Sequence, residues 1–137
     1  MPTPIIGQKA SITKAFSEAD VRQFAELSGD FNPIHIDPEY AETTVFGQRI
    51  VHGMLVSSLF SGLLAEKIPG PGSIYLGQTF KYQKPVFFDH SVTATVEVLH
   101  VREDKPIVTM STVCTNETGE VLISGEAVLM FSRDQAS

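Results

Sequence analysis

This 137-residue chain has a single cysteine, no tryptophan and fewer basic than acidic residues. One cysteine excludes an intrachain disulfide, and Cys114 stands among strand-forming residues, which indicates a packing role in the core. Sixteen acidic residues against ten basic ones give a formal charge of −6. This balance argues against a general binder of nucleic acid or anionic membranes, which would need a basic surface.

Long hydrophobic runs are also missing. The longest uncharged stretch in the apolar middle, residues 50–65, contains His52 and three serines and is shorter than the roughly 20 residues of a membrane span. The N-terminal residues lack the basic-then-apolar order of a secretory signal. We therefore expect a cytoplasmic protein without a membrane partner. With neither repeats nor linkers, residues 1–137 are treated as one domain.

Several common functional motifs are absent from the sequence. The four histidines include no His-x-x-x-His pair and there is no cysteine cluster, so no metal site is expected. The sequence has no Gly-x-Gly-x-x-Gly fingerprint, no Gly-Lys-Ser/Thr phosphate loop and no Gly-x-Ser-x-Gly elbow. Serine-nucleophile catalysis is therefore not expected, and no cofactor is implied.

The spacing of apolar residues predicts an α+β fold. Alternating patterns predict strands at residues 10–16, 74–82, 92–98, 107–116 and 120–131. Because the last connections are only a few residues long, the strands they join must be antiparallel. Helices are predicted after Ser17, which forms a capping-box-like pair with Asp20 and is followed by a stop at Gly29, and at residues 38–43 and 53–67.

The longest predicted helix, residues 53–67, is apolar on nearly all sides. Such a helix has no solvent face, so we expect it to be buried against an antiparallel sheet of about five strands. Its small residues leave room for close backbone approach or for a ligand. A sheet of this size also leaves edge strands with unpaired backbone groups, which favours a homodimer.

Asp30 and His35 are the first candidates for chemistry. They stand five positions apart on a turning segment that contains Asn32 and Pro33. A carboxylate beside an imidazole in a partly desolvated cleft is a workable acid–base pair, because each group shifts the proton affinity of the other. On spacing alone, the simpler interpretation is favoured, in which Asp30 caps a turn and His35 is an ordinary surface histidine.

The second candidate is the start of the long helix, at Val51-His52-Gly53-Met54. A helix N-terminus offers free N–H groups and a favourable dipole to a developing negative oxygen. Gly53 allows a ligand carbonyl to approach the backbone closely. Taken alone, this segment is more simply explained as an ordinary helix start with His52 near the cap.

In combination, residues 24–35 and 51–54 closely resemble the (R)-specific enoyl-CoA hydratases of the MaoC-like dehydratase family. The Gly-Asp-x-Asn-Pro-x-His element, followed later by His-Gly, is specific, and the similarity extends from about residue 8 to residue 131. The short bacterial form that supplies monomers for polyhydroxyalkanoate synthesis is the most similar type. This resemblance favours a catalytic interpretation of both candidate segments.

The resemblance implies a hot-dog fold, in which an antiparallel sheet wraps around one long helix, and a dimer that binds acyl-CoA near the subunit boundary. The implied reaction is reversible syn addition of water across a trans-2-enoyl-CoA, giving (R)-3-hydroxyacyl-CoA. Asp30 and His35 would bind and activate the water, and Asn32 would hold their loop. The Gly53 N–H would polarise the thioester carbonyl.

Three further residues are assigned to the site by the same resemblance. Ser61 would position Asp30, His52 would lie beside the reacting groups, and Leu64 would border the acyl chain. Two alternative activities on the same fold stay open, a dehydratase acting on acyl-carrier protein and an acyl-thioesterase. A non-catalytic acyl-CoA-binding domain is a third alternative, although it would not need Asp30 and His35 together with Gly53.

Overall fold

An antiparallel sheet and one long helix dominate the computed structural model, which describes residues 3–132. The elements follow one another as β1 (Lys9–Lys14), α1 (Glu18–Ser28), α2 (Pro33–Ile36), α3 (Pro38–Glu42), α4 (Gly53–Glu66), β2 (Ile74–Gln78), β3 (Lys81–Tyr82), β4 (Val92–Val101), β5 (Ile107–Asn116) and β6 (Val121–Met130). None of the helices in this part of the chain is long and apolar enough to cross a bilayer.

The six strands occupy five positions in the sheet. Their order is β1-β4-β5-β6-β2, and β3 continues the position of β2 by pairing with the same neighbour, β6. Between β2 and β3, the Thr79 carbonyl approaches β6 so closely that a Cβ on Gly125 would lie 1.8 Å from its oxygen. Any side chain at position 125 would therefore push this edge away. The expected sheet of about five strands is confirmed, with the predicted strand at residues 74–82 divided in two.

Capping residues set the ends of the first helices as the sequence predicts. Ser17 Oγ accepts from the Asp20 N–H at 3.2 Å, and Asp20 Oδ2 accepts from the Ser17 N–H at 2.9 Å. Gly29 ends α1 with a φ of 81°, in the left-handed region that favours glycine. The sequence did not predict the short helix α2, which begins directly at Pro33 because proline is well suited to a first helical position.

The core lies between α4 and one face of the sheet. Inward-facing residues of β4 alternate with exposed or half-buried ones, and the buried side of α4 packs against them with Val56, Phe60, Leu63 and Leu64. Each fully buried side chain of this size contributes roughly 1.5–3 kcal/mol. Cys114 is fully buried in this core, where burial raises the pKa of its thiol to about 11. Its predicted packing role is confirmed.

One face of α4 is exposed, so the expectation of a helix without a solvent face is wrong for the single chain. Met54 is 63% exposed, and the stripe continues along the helix through Ser58, Ser61, Gly62 and Ala65. These positions recur at intervals of three and four residues and therefore share one side of the helix. The small residues Ser58, Ser61 and Gly62 are therefore gathered on the exposed side, whereas Ser57 is buried.

Candidate active site

Asp30 lies on the loop between α1 and α2, and this loop is held by local hydrogen bonds. The Asp30 N–H donates to Ser28 Oγ at 3.1 Å, and the Asn32 N–H donates to Asp30 Oδ1 at 3.1 Å. Asn32 in turn caps α2, because its Oδ1 accepts from the Ile34 N–H at 3.3 Å. Asn32 therefore connects the Asp30 loop to the first turn of α2.

His35 extends from α2 into the protein and is held in a defined orientation. Its Nδ1 lies 2.8 Å from the Ile50 carbonyl oxygen, while the Ile50 N–H donates to the Ile34 carbonyl at 3.2 Å. A carbonyl can only accept, so the proton of the neutral ring is on Nδ1. His35 Nε2 then carries a free lone pair, and it lies 4.0 Å from Asp30 Oδ2.

Burial determines the protonation state of His35. The side chain is only 10% exposed, and burial is the main cause that lowers the pKa of His35 below its ordinary value. The neighbouring His52 adds to this lowering, whereas the hydrogen bond to Ile50 and the Asp30 carboxylate oppose it. The ring is therefore neutral around pH 7 and able to take a proton at Nε2.

His52 joins the two candidate segments that the sequence places apart. Its Nε2 donates to the Asp30 carbonyl oxygen at 3.0 Å, and its ring stacks on His35 with centroids 3.9 Å apart. Phe24 of α1 packs edge-on against the same ring, at 4.9 Å between centroids. The buried Nδ1 of His52 has no hydrogen-bond partner within residues 3–132. This histidine supports both His35 and the Asp30 loop.

Gly53 is the first residue of α4, and no side chain caps its helix end. The first N–H groups of a helix have no partner within it, so the Gly53 N–H can serve a ligand oxygen. The Tyr82 ring lies directly against this residue: a Cβ on Gly53 would stand 2.6 Å from Tyr82 Cε1. The sequence analysis missed Tyr82 as a site residue. Tyr82 shares one face of the predicted strand with Phe80, two positions before it, and this shared face was the available signal.

Part of this group lines a cleft of about 430 Å³. Asp30, His52 and Gly53 line it together with apolar side chains from the surrounding elements, among them Ile50, Val56, Val86 and Ile123. Four assigned residues do not line this cleft. Asn32 and His35 lie beside it on the Asp30 segment, with His35 Nε2 at 4.0 Å from Asp30 Oδ2. Ser61 is exposed two turns further along α4, about 12 Å from Gly53 along the axis, and Leu64 is buried in the core.

Asp30, His35 and His52 also form a group of potential metal ligands, with one donor atom of each within 4.8 Å of the others. The two imidazole rings are stacked with an interplanar angle of only 27°. Their in-plane lone pairs therefore do not converge on one point, as a tetrahedral site requires. The geometry is better suited to a small hydrogen-bonding molecule such as water.

Comparison with known proteins identifies the family. Residues 3–120 match the model described as the MaoC like domain. The chain belongs to the MaoC-like family. This MaoC-like chain is 54% identical over 124 residues to an (R)-specific enoyl-CoA hydratase of Aeromonas caviae, covering 90% of this chain and 92% of that protein. An (R)-specific enoyl-CoA hydratase of Rhodospirillum rubrum is 48% identical over 124 residues, which is 90% of this chain and 85% of that one.

The solved structures agree with the sequence comparison. The (R)-hydratase from A. caviae involved in PHA biosynthesis has a TM-score of 0.93 to this MaoC-like chain at 51% identity. The match covers 96% of this chain and 100% of that one. It confirms the hot-dog fold and the family resemblance that the sequence implied.

Proposed function

We propose that this protein is a cytoplasmic (R)-specific enoyl-CoA hydratase, which adds water to trans-2-enoyl-CoA and yields (R)-3-hydroxyacyl-CoA. The observation that carries this proposal is the pairing of a neutral His35 Nε2 with Asp30 Oδ2 beside the N-terminus of α4. The names of the relatives from A. caviae and R. rubrum support the same reaction. The name of the solved A. caviae structure further suggests that the product supplies polyhydroxyalkanoate synthesis.

Asp30 and His35 would hold one water between them. At 4.0 Å, His35 Nε2 and Asp30 Oδ2 are too far apart for a good direct hydrogen bond, yet both can reach a single oxygen. As the water oxygen bonds to C3 of the enoyl group, the pair takes one proton, and it delivers one proton to C2. The two transfers balance, and the pair acts and titrates as a unit.

The helix N-terminus would stabilise the charge that the reaction creates. Attack at C3 moves negative charge onto the thioester oxygen, and the Gly53 N–H at the start of α4 would donate a hydrogen bond to that oxygen. A single donor of this kind is typically worth about 10²–10³ in rate. The apolar part of the cleft lining would strengthen this interaction by lowering the local dielectric constant.

We further propose that the working unit is a homodimer. β2 lies at the edge of the sheet with three large apolar side chains exposed, those of Ile74, Tyr75 and Leu76. The exposed stripe of α4 adds a second surface that one chain leaves uncovered. An exposed apolar edge strand tends to pair with other chains and to aggregate. A second copy would instead hydrogen-bond to the unpaired N–H and C=O groups of this strand.

Hydration of crotonyl-CoA in heavy water tests the proposed reaction. We expect loss of the conjugated enoyl absorbance and formation of (R)-3-hydroxybutyryl-CoA with the new C2 deuterium syn to the hydroxyl. An S-specific dehydrogenase should give no signal with the product, and Asp30→Asn should abolish most turnover. An S product, or anti addition, would contradict the assignment of one water to Asp30 and His35.

Three further measurements distinguish the alternative activities. Release of free CoA, detected with a thiol reagent, would indicate a thioesterase. A preference for the acyl-carrier-protein thioester over the CoA thioester would indicate a carrier-protein dehydratase. Tight acyl-CoA binding without turnover would indicate a binding domain.

A further inference from the structure

Arg49 directly precedes the segment that leads into α4, and its side chain is largely enclosed by protein. Only 18% of this side chain is exposed. A guanidinium stays charged at every ordinary pH, so its removal from water must be balanced by partners. Arg49 lies outside the set of residues that line the cleft, and the proposed reaction does not use it. Its enclosure therefore needs another explanation.

Three partners from different parts of the chain surround the Arg49 guanidinium. One terminal nitrogen donates to Glu18 Oε1, in the first turn of α1, at 3.0 Å. The other donates to the Ile36 carbonyl oxygen, at the end of α2, at 3.4 Å. The central carbon of the group lies over the Phe88 ring, 4.6 Å from its centroid. Arg49 therefore links α2 to α1 and to a ring that packs against the core.

The helix α2 depends on contacts of this kind because it has only four residues. A helix of this length is not stable in water by itself. Its last three residues each bond to residue 49 or 50. The Ile34 carbonyl accepts from the Ile50 N–H, and His35 Nδ1 donates to the Ile50 carbonyl. The third bond is the one from Arg49 to the Ile36 carbonyl. His35 is thus the middle residue of three, with a tie to the same segment on either side.

We propose that Arg49 is a positioning residue, which holds α2 in place and thereby keeps His35 in the tautomer that presents a free Nε2 lone pair to Asp30. This inference deepens the proposed hydratase function and rests on it. Without the guanidinium, α2 loses its tie to α1 and to the core-packed ring. The imidazole can then leave the Ile50 carbonyl and carry its proton on Nε2. In that form Nε2 cannot accept a proton from water.

The chain offers variants that separate the contacts of Arg49. Arg49→Met keeps a long side chain but removes the charge and every hydrogen bond. Arg49→Lys keeps the charge, although one ammonium group does not reproduce the two-ended contact of a guanidinium. Arg22→Met is the matched control. Arg22 bonds to the same Glu18 carboxylate at 3.1 Å from within α1, so its loss leaves the bond from Arg49 to Ile36 in place.

Steady-state kinetics with crotonyl-CoA measures the effect on catalysis. We expect Arg49→Met to lower kcat about 10-fold or more, because a reacting group displaced by about 1 Å can cost about 10²-fold. KM should stay within about 2-fold of the wild-type value, since Arg49 would act on the reacting pair and not on substrate binding. Arg49→Lys should lie between the two, and Arg22→Met should match the wild type. A higher KM with unchanged kcat would indicate a direct contact with the substrate and would overturn the positioning role.

Nuclear magnetic resonance of ¹⁵N-labelled histidine reads the tautomer directly and requires no turnover. The His35 signals are assigned by their absence in His35→Gln, and in the wild type we expect a protonated Nδ1 and a free Nε2. In Arg49→Met, part or all of the His35 population should shift to the other tautomer, whereas Arg22→Met should keep the wild-type pattern. An unchanged His35 tautomer in folded Arg49→Met would overturn the proposal, whatever happens to kcat.

The two readouts distinguish failure of this inference from failure of the proposed function. If the wild type hydrates no enoyl-CoA but Arg49→Met changes the His35 tautomer, the hydratase function fails and the positioning of His35 by Arg49 stands. If the wild type is active and Arg49→Met keeps either the tautomer or kcat, only the positioning role fails. Should Arg49→Met not fold, Arg49→Lys decides the question, and wild-type values in both measurements would then overturn the proposal.

Discussion

The imidazole rings of His35 and His52 are stacked, with their centroids 3.9 Å apart and their planes inclined by 27°. Two protonated rings at this spacing in a buried site would repel each other strongly. One nitrogen of each ring also donates a hydrogen bond to a backbone carbonyl. His35 Nδ1 donates to Ile50, and His52 Nε2 donates to Asp30. The stacking therefore favours a neutral His35 whose remaining nitrogen faces Asp30.

The first prediction concerns the pH dependence of activity. Burial lowers the pKa of His35, and the neutral ring is the form that can take a proton. We expect kcat/KM for crotonyl-CoA to fall on the acid side with a midpoint below the ordinary imidazole value of about 6.5. A pH–rate profile measures this midpoint, and a value at or above the ordinary one would contradict a buried neutral base.

The same pKa shift predicts how stability depends on pH. The unfolded chain binds a proton at position 35 more readily than the folded protein, because the folded pKa is the lower of the two. The free energy of unfolding should be greatest above about pH 6.5 and fall as the pH drops towards the folded pKa. Denaturant unfolding at several pH values tests this. The His35→Gln variant, which cannot titrate, should lose that part of the dependence.

A third prediction concerns the catalytic pair. Asp30→Asn or His35→Gln should each lower kcat about 10²-fold or more while the protein stays folded. The double variant should lose little more than the worse single variant, because residues that act as a unit are not additive. Steady-state kinetics with circular dichroism as the folding control measures both effects. Turnover close to wild type in a folded single variant would remove that residue from the mechanism.

The fourth prediction concerns Gly53. In Gly53→Ala, the new Cβ would stand 2.6 Å from Tyr82 Cε1, so the ring must move away from the helix. We expect a loss of about 1–3 kcal/mol in the free energy of unfolding and recovery in the Gly53→Ala/Tyr82→Ala double variant. Gly62→Ala on the same helix is the control, since nothing lies within 4 Å of its Cβ. It should be stabilising by about 0.5–1 kcal/mol.

The last prediction concerns assembly. Light scattering at micromolar concentration should give twice the chain mass of 15.0 kDa. Leu76→Asp, on the exposed edge strand β2, should shift the mass towards the single chain, whereas Leu27→Asp on α1 should not. A mass of one chain for the wild type, with activity retained, would overturn the homodimer.

Local sequence patterns determined most of the secondary structure and pointed to the candidate reacting groups. The capping pair of Ser17 and Asp20 marks the start of α1, and Gly29 marks its end. Alternation of apolar residues marks the strands. These signals act between residues within about four positions of each other, so the sequence shows them directly. The Gly-Asp-x-Asn-Pro-x-His element likewise identified Asp30 and His35 as a candidate acid–base pair.

The tertiary structure alone decided how these groups are oriented and enclosed. The bond that sets the His35 tautomer joins residues 15 positions apart, and the bond between Ser57 and Tyr82 joins residues 25 positions apart. Neither hydrogen bond has a periodic signature in the sequence, because each depends on how α4 and the segments around it pack against the sheet. The same packing moved Leu64 into the core and left Ser61 exposed. A side chain's place along a helix is local, but which neighbour covers it depends on elements distant in the chain.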